Sequence, residues 1–514
     1  MNANGKCIML QGTSSHVGKS LLATGLCRHF YRRGFRVAPF KSQNMALNSY
    51  VTSDGLEIGR AQGVQAEAAG LAATVEMNPI LLKPKEDMVA QVIVMGKPYG
   101  DLSAREYRNN YLPTALEVVA KALDKIRGEN QVVVIEGAGS PAEINLKERD
   151  IANMRIAFMA EAPVILVADI DRGGVFASLL GTLELLTPAE RKMVGGFIIN
   201  KFRGDVSLLQ PGLQYLEERT GLPVLGVVPF VKDLGIEEED SVSLQDKKAG
   251  SGSGEELNIA VVKLPHISNY TDFNPLEAEE DVILRYVEPH QKLGSLDAVI
   301  IPGTKNTTND LLFLNTSGCA RQIREAYQEG VCVVGICGGF QMMGVNLLDP
   351  DSTESSELAE IKGLDLLPMT TTFRSQKLTR QVKARISSHR AWGELGGLEL
   401  EGYEIRHGCS TVLRDMPCLR VIPEYREEEE VIGLASEDMR LLGSYLHNLF
   451  HNDLFRRRWL NTLRAKKGLP PLEEGAILDT KQRREESYDR LAAILEESLD
   501  MEKLYRLMGL NCNL

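Results

Sequence analysis

The chain has 514 residues and a formal net charge of −12, with 43% hydrophobic and 25% charged residues. A chain of this length exceeds what one hydrophobic core supports, so several domains are expected. The negative charge argues against nucleic acid as a main partner, because binding a phosphate backbone requires a basic face. No apolar run reaches the length that a bilayer requires, and the eight scattered cysteines fit a reduced compartment. We therefore expect a cytoplasmic protein without a membrane partner.

Short apolar runs recur in the first half of the chain, with stretches of helical character between them. Because these runs are continuous rather than alternating, they predict strands buried on both faces of a parallel sheet that helices cover. Polar or glycine-bearing loops follow the runs, and ligands of open α/β sheets bind at that carboxyl edge. The runs are Cys7–Leu10, Arg36–Phe40, Val132–Ile135, Val164–Ala168, Gly196–Ile199 and Val224–Val228.

A change in composition marks a boundary between two α/β patterns. Residues 236–256 are acidic and then rich in glycine and serine, which is typical of a flexible linker. Further strands are predicted near Ile259–Leu264, Ala298–Ile301 and Val331–Ile336. The predicted fold class is therefore α/β, with two doubly wound domains and a helical C-terminus. The predicted division is a first domain at residues 1–235, a linker at 236–256, a second domain at 257–455 and a helical segment at 456–514.

A phosphate-binding loop is predicted directly after the first apolar run. Residues 12–20 read GTSSHVGKS and precede a predicted helix at Leu21–Phe30. In such a loop, backbone N–H groups and the helix N-terminus bind phosphate, the lysine contacts the β- and γ-phosphates, and the hydroxyl ligates Mg²⁺. The order of strand, loop and helix favours a nucleotide site over an accidental glycine turn. The predicted ATP-binding residues of the loop are Gly12, Thr13, Gly18, Lys19 and Ser20.

The spacing of this loop separates two groups of nucleotide-binding proteins. Five residues lie between Gly12 and Gly18, one more than the common spacing. The loop resembles that of dethiobiotin synthetase and its relatives, which activate carboxylates with ATP. Partitioning ATPases carry a signature lysine five positions before the loop lysine, where this chain has Ser14. The resemblance to the partitioning ATPases is therefore weaker.

Other candidate side chains lie where predicted strands end or in polar loops. Lys41 is placed to neutralise phosphate or an acyl phosphate, and Asn200 is placed to contact the adenine edge. Asp54 and Glu136 are predicted, with Ser20, as ligands of Mg²⁺, because this ion prefers oxygen. Lys41 and Asp54 are equally compatible with solvated surface charges. Glu136 is a stronger candidate, because a charge that ends a buried strand rarely lacks a partner.

Asp169 and Asp171 follow another predicted strand, and the sequence leaves their role open. A contact with metal or substrate, a structural pair of Asp171 with Arg172 and a contact between subunits are all compatible with it. Neither aspartate is therefore included among the predicted metal ligands.

A cysteine in the second half has the surroundings of a nucleophile. The sequence GICGGFQMMG around Cys337 predicts a strand, a sharp turn and a helix. Small neighbours allow backbone N–H groups to reach a developing oxyanion, and a helix N-terminus favours the thiolate. Gly338, together with Gly303 after the strand Ala298–Ile301, is predicted to supply the oxyanion donors. An inert buried cysteine is the alternative, which the flanking glycines disfavour.

A thiolate nucleophile needs a base, for which His447 is the candidate. This histidine follows an apolar run late in the chain. Lone histidines are more often surface residues or satisfied core residues, but the pairing with Cys337 in a second α/β domain favours His447. The other histidines considered are His266, His389, His407 and His451.

These motifs together resemble one family. GICGGFQMMG at residues 335–344 and YLHNLF at residues 445–450 are similar to the class I glutamine amidotransferase domain in its cobyric acid synthase form. FKSQNMALNS, EGAGS, ADIDRGGVFA and NKFRGD resemble the first domain of the same family. The similarity extends from about residue 6 to about residue 456, and the combination of motifs is highly specific.

The resemblance implies an activity. It is the ATP-dependent amidation of the b, d, e and g side-chain carboxylates of adenosyl-cobyrinic acid a,c-diamide with ammonia derived from glutamine. Cys337 would attack the glutamine amide, and His447 would act as base and then as acid. Most class I amidotransferases carry a glutamate two residues after the histidine, where this chain has Leu449. The family shares this absence, so the third member of the triad is left unassigned.

The resemblance also implies the ligands of the protein. They are ATP, Mg²⁺, glutamine and a corrinoid, without a tightly bound organic cofactor, and a homo-oligomer is compatible with the sequence. One alternative is a related amide synthase that acts on another carboxylate, such as cobyrinic acid a,c-diamide synthase or a cell-wall amidotransferase. Another is a non-catalytic ATPase of the partitioning type, which Ser14 and the pair Cys337 and His447 disfavour.

Overall fold

The computed structural model describes residues 4–86, 88–107, 111–232, 234–237, 255–354, 359–422, 430–474 and 477–511. The chain divides into two compact units that do not follow chain order. The first unit comprises residues 1–46, 57–237 and 481–514, and the second unit comprises residues 47–56 and 238–480. The boundaries predicted from composition stay predictions, and most of the predicted linker, 236–256, lies outside the described residues.

A strand forms at each of the apolar runs singled out in the sequence, with bounds that differ by one to three residues at some of them. They are β1 (Lys6–Gly12), β2 (Val37–Phe40), β3 (Gln43–Met45), β4 (Ser49–Val51), β5 (Glu57–Gly59), β6 (Ile80–Glu86), β7 (Val89–Val94), β8 (Lys97–Ser103), β9 (Val132–Glu136), β10 (Val164–Asp169), β11 (Val194–Phe202), β12 (Val224–Pro229), β13 (Leu257–Val262), β14 (Val282–Val287), β15 (Ala298–Ile301), β16 (Cys332–Ile336), β17 (Asn346–Leu348), β18 (Glu360–Lys362), β19 (Met369–Ile386), β20 (Glu399–Val412), β21 (Cys418–Val421), β22 (Val431–Ala435) and β23 (Leu441–Ser444).

The helices mostly connect successive strands. They are α1 (Lys19–Arg32), α2 (Arg60–Ala68), α3 (Ala104–Glu106), α4 (Leu112–Glu129), α5 (Met154–Ala160), α6 (Val175–Leu185), α7 (Pro188–Arg191), α8 (Gln210–Thr220), α9 (Asn274–Glu277), α10 (Thr307–Thr316), α11 (Cys319–Gln328), α12 (Gly338–Met342), α13 (Asp453–Lys466), α14 (Thr480–Ser498) and α15 (Met501–Met508). None of the helices within the described ranges is long and apolar enough to cross a membrane.

The core of the first unit is a parallel sheet. Its described strands have the order β12-β11-β10-β1-β9-β2, and every pair is parallel. β1 lies inside the sheet and is buried at each residue after Lys6, which explains its continuous apolar sequence. The carboxyl ends of β1, β9, β10 and β11 therefore meet at one edge, where the predicted phosphate loop begins.

The C-terminal helices complete the core of the first unit. Leu491 and Leu495 of α14, with Leu504 of α15, belong to the same apolar cluster as Ile8 of β1 and Leu26 of α1. The apolar residues of α14 recur at helical spacing among charged ones, so one face of this highly charged helix is buried. The helical C-terminus is confirmed, and α14 and α15 contribute to the packing of a sheet that lies far from them in the sequence.

A small sheet of the first unit was not predicted. Its order is β3-β6-β7-β8, with two antiparallel hairpins. The turn between β7 and β8 places Met95 and Gly96 at φ values of 47° and 75°. Two-residue hairpins require such backbone angles, but they usually have asparagine or aspartate before the glycine. Met-Gly gives no such signal, so the sequence did not predict this hairpin.

The second unit contains a larger mixed sheet. Its described strands run β14-β13-β15-β16-β23-β22-β21-β19-β17-β18, and β20 pairs with β19. Parallel pairing joins β14, β13, β15, β16 and β23 in that order. Antiparallel pairing then continues the sheet through β22, β21 and β19. β19 and β20 form a long antiparallel hairpin. The carboxyl ends of β15, β16 and β23 lie side by side, which positions the predicted cysteine and histidine.

Candidate active sites

The phosphate loop joins the inner strand of the first unit to a helix. β1 ends at Gly12 and α1 begins at Lys19, so the N–H groups of the helix N-terminus face the carboxyl edge of the sheet. Gly18 has a φ of 96°, and a Cβ there would lie 2.2 Å from Asn200 Nδ2, so only glycine fits. Lys19 Nζ donates to the carbonyls of Ser14 at 3.1 Å and Gly139 at 3.2 Å, which holds its ammonium beside the loop.

Glu136, at the end of β9, connects the predicted site residues. Its Oε1 accepts hydrogen bonds from Ser20 Oγ and Lys41 Nζ, each at 2.8 Å. Its Oε2 accepts one from Gln65 Nε2 at 2.8 Å. Burial favours the neutral carboxyl, but the Lys41 charge and these hydrogen bonds hold the pKa of Glu136 below its ordinary value. The structure thus brings Ser20, Lys41 and Glu136 together around one buried carboxylate.

The residues present fit a magnesium ion that arrives with a nucleotide. The Ser20 hydroxyl and the Glu136 carboxylate are oxygen donors, and Mg²⁺ usually takes one or two protein ligands and fills its other positions with phosphate oxygens and water. In the part of the chain that the structure describes, no group of three or more His, Cys, Asp or Glu side chains forms a metal cage. Asp54 belongs to the second unit, where it accepts a hydrogen bond from Thr52 Oγ1 at 2.5 Å. Its role as a ligand stays a prediction.

Asn200 supports the phosphate loop from the side. It is buried on β11, and its Nδ2 donates to the carbonyl of Val17 at 2.8 Å. The next residue, Lys201, donates to the carbonyl of His16 at 2.7 Å and lies 3.0 Å from Asp169. These contacts fix β11 to the loop, while the predicted contact of Asn200 with adenine stays a prediction.

The pairing of Asp171 differs from the pair considered from the sequence. Asp171 Oδ1 lies 2.9 Å from Arg203 Nε, and Arg172 Nε lies 3.9 Å from Asp169 Oδ2. Asp171 thus pairs with Arg203, directly after β11, and Arg172 is directed to Asp169. Adjacency in the sequence therefore did not predict this ion pair.

Cys337 stands on the turn between β16 and α12. Its backbone has φ 50° and ψ −107°, which a residue with a side chain rarely adopts. Such a strained turn at a strand end presents a nucleophile above the sheet. Gly339 permits this turn, because a Cβ there would lie 1.9 Å from the carbonyl oxygen of Ile301. Close packing at the turn, and not only the chemistry of the site, therefore requires glycine next to the cysteine.

His447 is fully buried and held from two sides. Its Nδ1 lies 2.7 Å from Asp272 Oδ2, and its ring stacks on Tyr403 with centroids 5.0 Å apart. Burial lowers the pKa of His447, but the Asp272 carboxylate and a hydrogen bond with Cys337 outweigh burial and raise it to about 10. Cys337, His447 and Asp272 thus have the arrangement expected of a nucleophile, a base and a group that orients the base.

The predicted oxyanion donors lie beside this group. A Cβ on Gly303 would lie 3.2 Å from His447 Cε1, and one on Gly338 would lie 2.7 Å from Thr304 Cγ2. Gly338 is the first residue of α12, so its N–H has no acceptor within the helix. The structure brings both glycines to the site, and their action on an oxyanion stays a prediction.

Three of the other histidines have structural contacts elsewhere in the second unit. His266 Nδ1 lies 2.7 Å from Asp310 Oδ1, and His407 Nδ1 lies 3.1 Å from the carbonyl of Arg374. His389 Nδ1 accepts the N–H of Ala391 at 3.2 Å, so it caps a turn. These contacts support the choice of His447 as the base.

Sequence reasoning did not find Asp272. The residue lies in a short 3₁₀ helix, Tyr270–Phe273, that follows β13 and precedes β14. It is 175 positions from His447, and its sequence surroundings contain no recognisable motif. The position two residues after the histidine holds Leu449, which is buried in the apolar core. Only the approach of the two segments in the fold shows the partner.

Two family models cover most of the chain. Residues 8–243 match the CobQ/CobB/MinD/ParA nucleotide binding domain, and residues 258–455 match the CobB/CobQ-like glutamine amidotransferase domain. A cobyric acid synthase from Desulforamulus reducens is 54% identical, with 98% of each chain covered. The chain belongs to the cobyric acid synthase family.

Other relatives agree with this assignment. A cobyric acid synthase from Moorella thermoacetica is 50% identical, with 98% of each chain covered, and one from Geobacillus kaustophilus is 47% identical over 98% of this chain and 97% of its own. As a member of the cobyric acid synthase family, the chain is a ligase of cobalamin biosynthesis that uses ATP to form amides. The predicted family, fold class and enzyme type are confirmed.

Two solved structures also resemble this member of the cobyric acid synthase family. PurLQS from Thermotoga maritima has a TM-score of 0.31 and 17% identity over 46% of this chain and 98% of its own. A glutamine amidotransferase from Thermotoga maritima has a TM-score of 0.28 and 14% identity over 49% of this chain and 98% of its own. TM-scores this low add nothing to the assignment.

Proposed function

We propose that the protein amidates the b, d, e and g carboxylates of adenosyl-cobyrinic acid a,c-diamide with ammonia from glutamine, giving adenosyl-cobyric acid. Each amidation consumes one ATP and one glutamine. The observation that carries the proposal is the similarity, over 98% of the chain, to relatives named cobyric acid synthase. The two clusters of reactive residues, one in each unit, supply the chemistry for the two halves of this reaction.

The second unit releases ammonia. Cys337 Sγ attacks the side-chain carbonyl carbon of glutamine, and the N–H groups of Gly303 and Gly338 stabilise the oxyanion. His447 gives a proton to the departing nitrogen, so that ammonia leaves and a glutamyl thioester remains on Cys337. A water molecule then attacks the thioester, and His447 accepts a proton from it. Glutamate leaves, and the thiol is restored. Asp272 holds the imidazole in the orientation for both steps.

The first unit activates the acceptor. A carboxylate oxygen of the substrate attacks the γ-phosphorus of ATP, and ADP leaves. The product is an acyl phosphate. Ammonia then attacks its carbonyl carbon, phosphate leaves, and the amide forms with the loss of one proton. Lys19 and Lys41 lie at the carboxyl edge of the sheet, where their charges stabilise the transferred phosphoryl group.

A magnesium ion would be held by Ser20 and Glu136, and it would supply charge neutralisation for the phosphates. Glu136 also positions Lys41 through the 2.8 Å ion pair, so one carboxylate orients two groups that face the nucleotide. Gln65 fixes the other oxygen of Glu136 and keeps the carboxylate in this orientation.

The test follows the mass of the corrinoid. Purified protein is incubated with ATP, Mg²⁺, glutamine and adenosyl-cobyrinic acid a,c-diamide, and the free pool is examined by mass spectrometry over time. We expect four successive mass changes, each corresponding to the replacement of a hydroxyl by an amino group. One γ-phosphate position does not face four carboxylates at once, so partly amidated products should appear in solution.

Two outcomes would contradict the proposal. Conversion of substrate to full product with no released intermediate would contradict repeated dissociation from a single site. The second outcome is no mass change on this corrinoid, together with amidation of cobyrinic acid or a simple diacid in a parallel reaction. The protein would then be an amide synthase that acts on another carboxylate.

A further inference from the structure

The second unit contains an aspartate–histidine pair besides Asp272 and His447. His266 Nδ1 lies 2.7 Å from Asp310 Oδ1, and Asp310 is fully buried. Asp310 lies in the first turn of α10, where the positive end of the helix favours a carboxylate. The proposed mechanism uses neither residue of this pair. A buried carboxylate is costly unless its oxygens are bonded, so the partners of Asp310 indicate what it does.

Asp310 joins two segments that follow different strands. Its Oδ2 accepts the backbone N–H of His266 at 3.2 Å and the hydroxyl of Thr304 at 2.5 Å, while its Oδ1 faces the His266 ring. Hydrogen bonds to a carboxylate are roughly twice as strong as bonds between neutral groups. One buried side chain thus anchors the segment after β13 to the segment after β15.

The two anchored segments also pair with each other through the backbone. The N–H of Ser268 donates to the carbonyl of Gly303 at 2.9 Å, and the N–H of Lys305 donates to the carbonyl of His266 at 3.0 Å. Thr304 stands between these two bonds in an isolated antiparallel bridge. Backbone groups of successive residues in such a pairing point in opposite directions, so the N–H of Thr304 is directed away from the partner segment.

The turn that carries Cys337 lies beside the segment after β15. A Cβ on Gly338 would lie 3.2 Å from the backbone nitrogen of Thr304, and a Cβ on Gly303 would lie 3.2 Å from His447 Cε1. This segment is therefore close to both the nucleophile turn and the base. An N–H group stabilises an oxyanion only if it is held about 2.7–3.1 Å from the developing charge, so the segment has to be fixed in position.

We propose that Asp310 and His266 are positioning residues of the oxyanion site. The Asp310 carboxylate holds Thr304 through its hydroxyl, and the ring of His266 keeps the carboxylate turned so that Oδ2 faces this hydroxyl. The N–H groups of Gly303 and Thr304 are thereby fixed before the thiolate attacks, which avoids reorganisation as the charge develops. Both positioning residues act through the segment after β15 and not on glutamine itself. The inference rests on the proposed hydrolysis of glutamine in the second unit.

The first test removes one hydroxyl. Thr304→Val keeps the shape of the side chain but loses the hydrogen bond to Asp310, whereas Thr304→Ser retains a hydroxyl. Glutamate release is measured with ATP, Mg²⁺ and the corrinoid present. Thr304→Val should lower kcat roughly 10- to 10²-fold, because displaced donors stabilise the oxyanion less, and should leave the KM for glutamine nearly unchanged.

Two further variants complete this first test. Thr304→Ser should retain most of the wild-type kcat, because its hydroxyl is able to bond the same carboxylate. Thr316→Val is the matched control, since Thr316 is an exposed residue of the same helix as Asp310, and it should leave kcat and KM unchanged.

The second test removes the imidazole of His266. His266→Leu takes the ring away from Asp310 Oδ1, whereas His266→Asn offers an N–H group close to the position of Nδ1. His266→Leu should lower kcat less than Thr304→Val does, because the backbone N–H of residue 266 still bonds the carboxylate. His266→Asn should stay close to the wild type, which would show that hydrogen bonding and not ring packing carries the effect.

Alkylation of Cys337 distinguishes a positioning role from a general structural defect. Iodoacetamide reacts at sulfur: an S–C bond forms, iodide leaves and the thiol proton is released, so no oxyanion develops. Peptide mass spectrometry should therefore show the same rate of Cys337 modification in the wild type, Thr304→Val and His266→Leu. Synthesis with high ammonium should also be unchanged in both variants, because it does not use the oxyanion site.

An unchanged kcat in Thr304→Val and His266→Leu would overturn the proposal, as would a rise in the KM for glutamine without a fall in kcat. Equal losses with glutamine and with ammonium would assign Asp310 and His266 to folding instead. Failure of the proposed substrate is recognised separately, because the wild type would then release glutamate while the corrinoid gains no mass, and the ratio of kcat between the variants would still decide the inference.

Discussion

His447 Nδ1 lies 2.7 Å from Asp272 Oδ2, and Asp272 Oδ1 also accepts the backbone N–H of Asn448 at 2.9 Å. Both carboxylate oxygens are thus used to fix the segment that carries the histidine. With Nδ1 bound to the carboxylate, Nε2 is the nitrogen that would move the proton in the proposed mechanism. In the proposed mechanism, the aspartate takes the role of the glutamate that most class I amidotransferases carry two residues after the histidine.

Asp272→Asn should reduce glutamine-dependent synthesis by on the order of 10²- to 10⁴-fold, because the amide no longer holds the imidazole in the correct tautomer. Synthesis with high ammonium should be nearly unchanged. Asp438→Asn, which alters an exposed partner of Arg440, is the matched control and should leave both activities intact. Equal losses with both nitrogen donors would assign Asp272 to folding and not to the glutaminase step.

Stability should depend on pH through the same pair. Burial lowers the pKa of His447, but Asp272 and Cys337 raise it from 6.5 to about 10 in the folded protein. Because the folded state binds the proton more tightly, the stabilisation is fully present below pH 6.5 and is lost as the pH rises through about 10. The Tm difference between wild type and His447→Gln should therefore shrink over that range, as thermal unfolding followed by circular dichroism would show. A difference that grows with pH would contradict the assignment.

Cys337→Ala should abolish glutamine-dependent synthesis and keep synthesis with high ammonium, because only the glutaminase step needs the thiolate. The measurement is corrinoid amidation with each nitrogen donor. Cys319→Ala, another buried cysteine of the second unit, is the control and should retain both activities. If Cys337→Ala lost both activities equally, the cysteine would be structural.

Lys19→Ala should abolish synthesis with either nitrogen donor. A lysine that stabilises a developing phosphoryl charge contributes on the order of 10³-fold in rate. Hydrolysis of glutamine without ATP should persist, since the glutaminase residues lie in the other unit. Lys147→Ala, which removes a half-exposed partner of Glu190, serves as the control. Normal ATP-dependent turnover in Lys19→Ala would exclude the loop as the catalytic phosphate site.

Gly339→Ala should destabilise the second unit by at least about 3 kcal/mol, because the new Cβ meets the Ile301 carbonyl at 1.9 Å. Denaturant unfolding of the two proteins measures the difference. Gly128→Ala, in α4, is the control. Among the described residues, no atom beyond its own stretch of helix lies within 4 Å of its Cβ, and the helix should gain roughly 0.5–1 kcal/mol. A mild effect of Gly339→Ala would mean that the turn at Cys337 is less constrained than its geometry indicates.

Most of the parallel strands of the two large sheets could be predicted, because a buried parallel strand has a continuous apolar sequence. Runs such as Val132–Ile135 are apolar at consecutive positions, and a glycine loop follows β1 where the strand meets its helix. The candidate nucleophile Cys337 and the candidate phosphate lysine Lys19 could be predicted for the same reason, since tight turns require small residues at fixed spacing. The hairpin of β7 and β8 has no sequence pattern that predicts it, because the residues of its turn are uncommon for a turn of this geometry.

The sequence by itself determined the strand order along the chain, the positions of Lys19, Ser20, Cys337 and His447, and the family to which these motifs belong. Tertiary structure alone decided that Asp272 meets His447, that Asp171 pairs with Arg203, and that α14 packs on the first sheet. The physical reason is the range of the interaction. Turns and strand burial constrain neighbouring residues and so appear as local patterns. An ion pair or a packed helix face depends on which distant segments the fold brings together, and residue spacing carries no information about that.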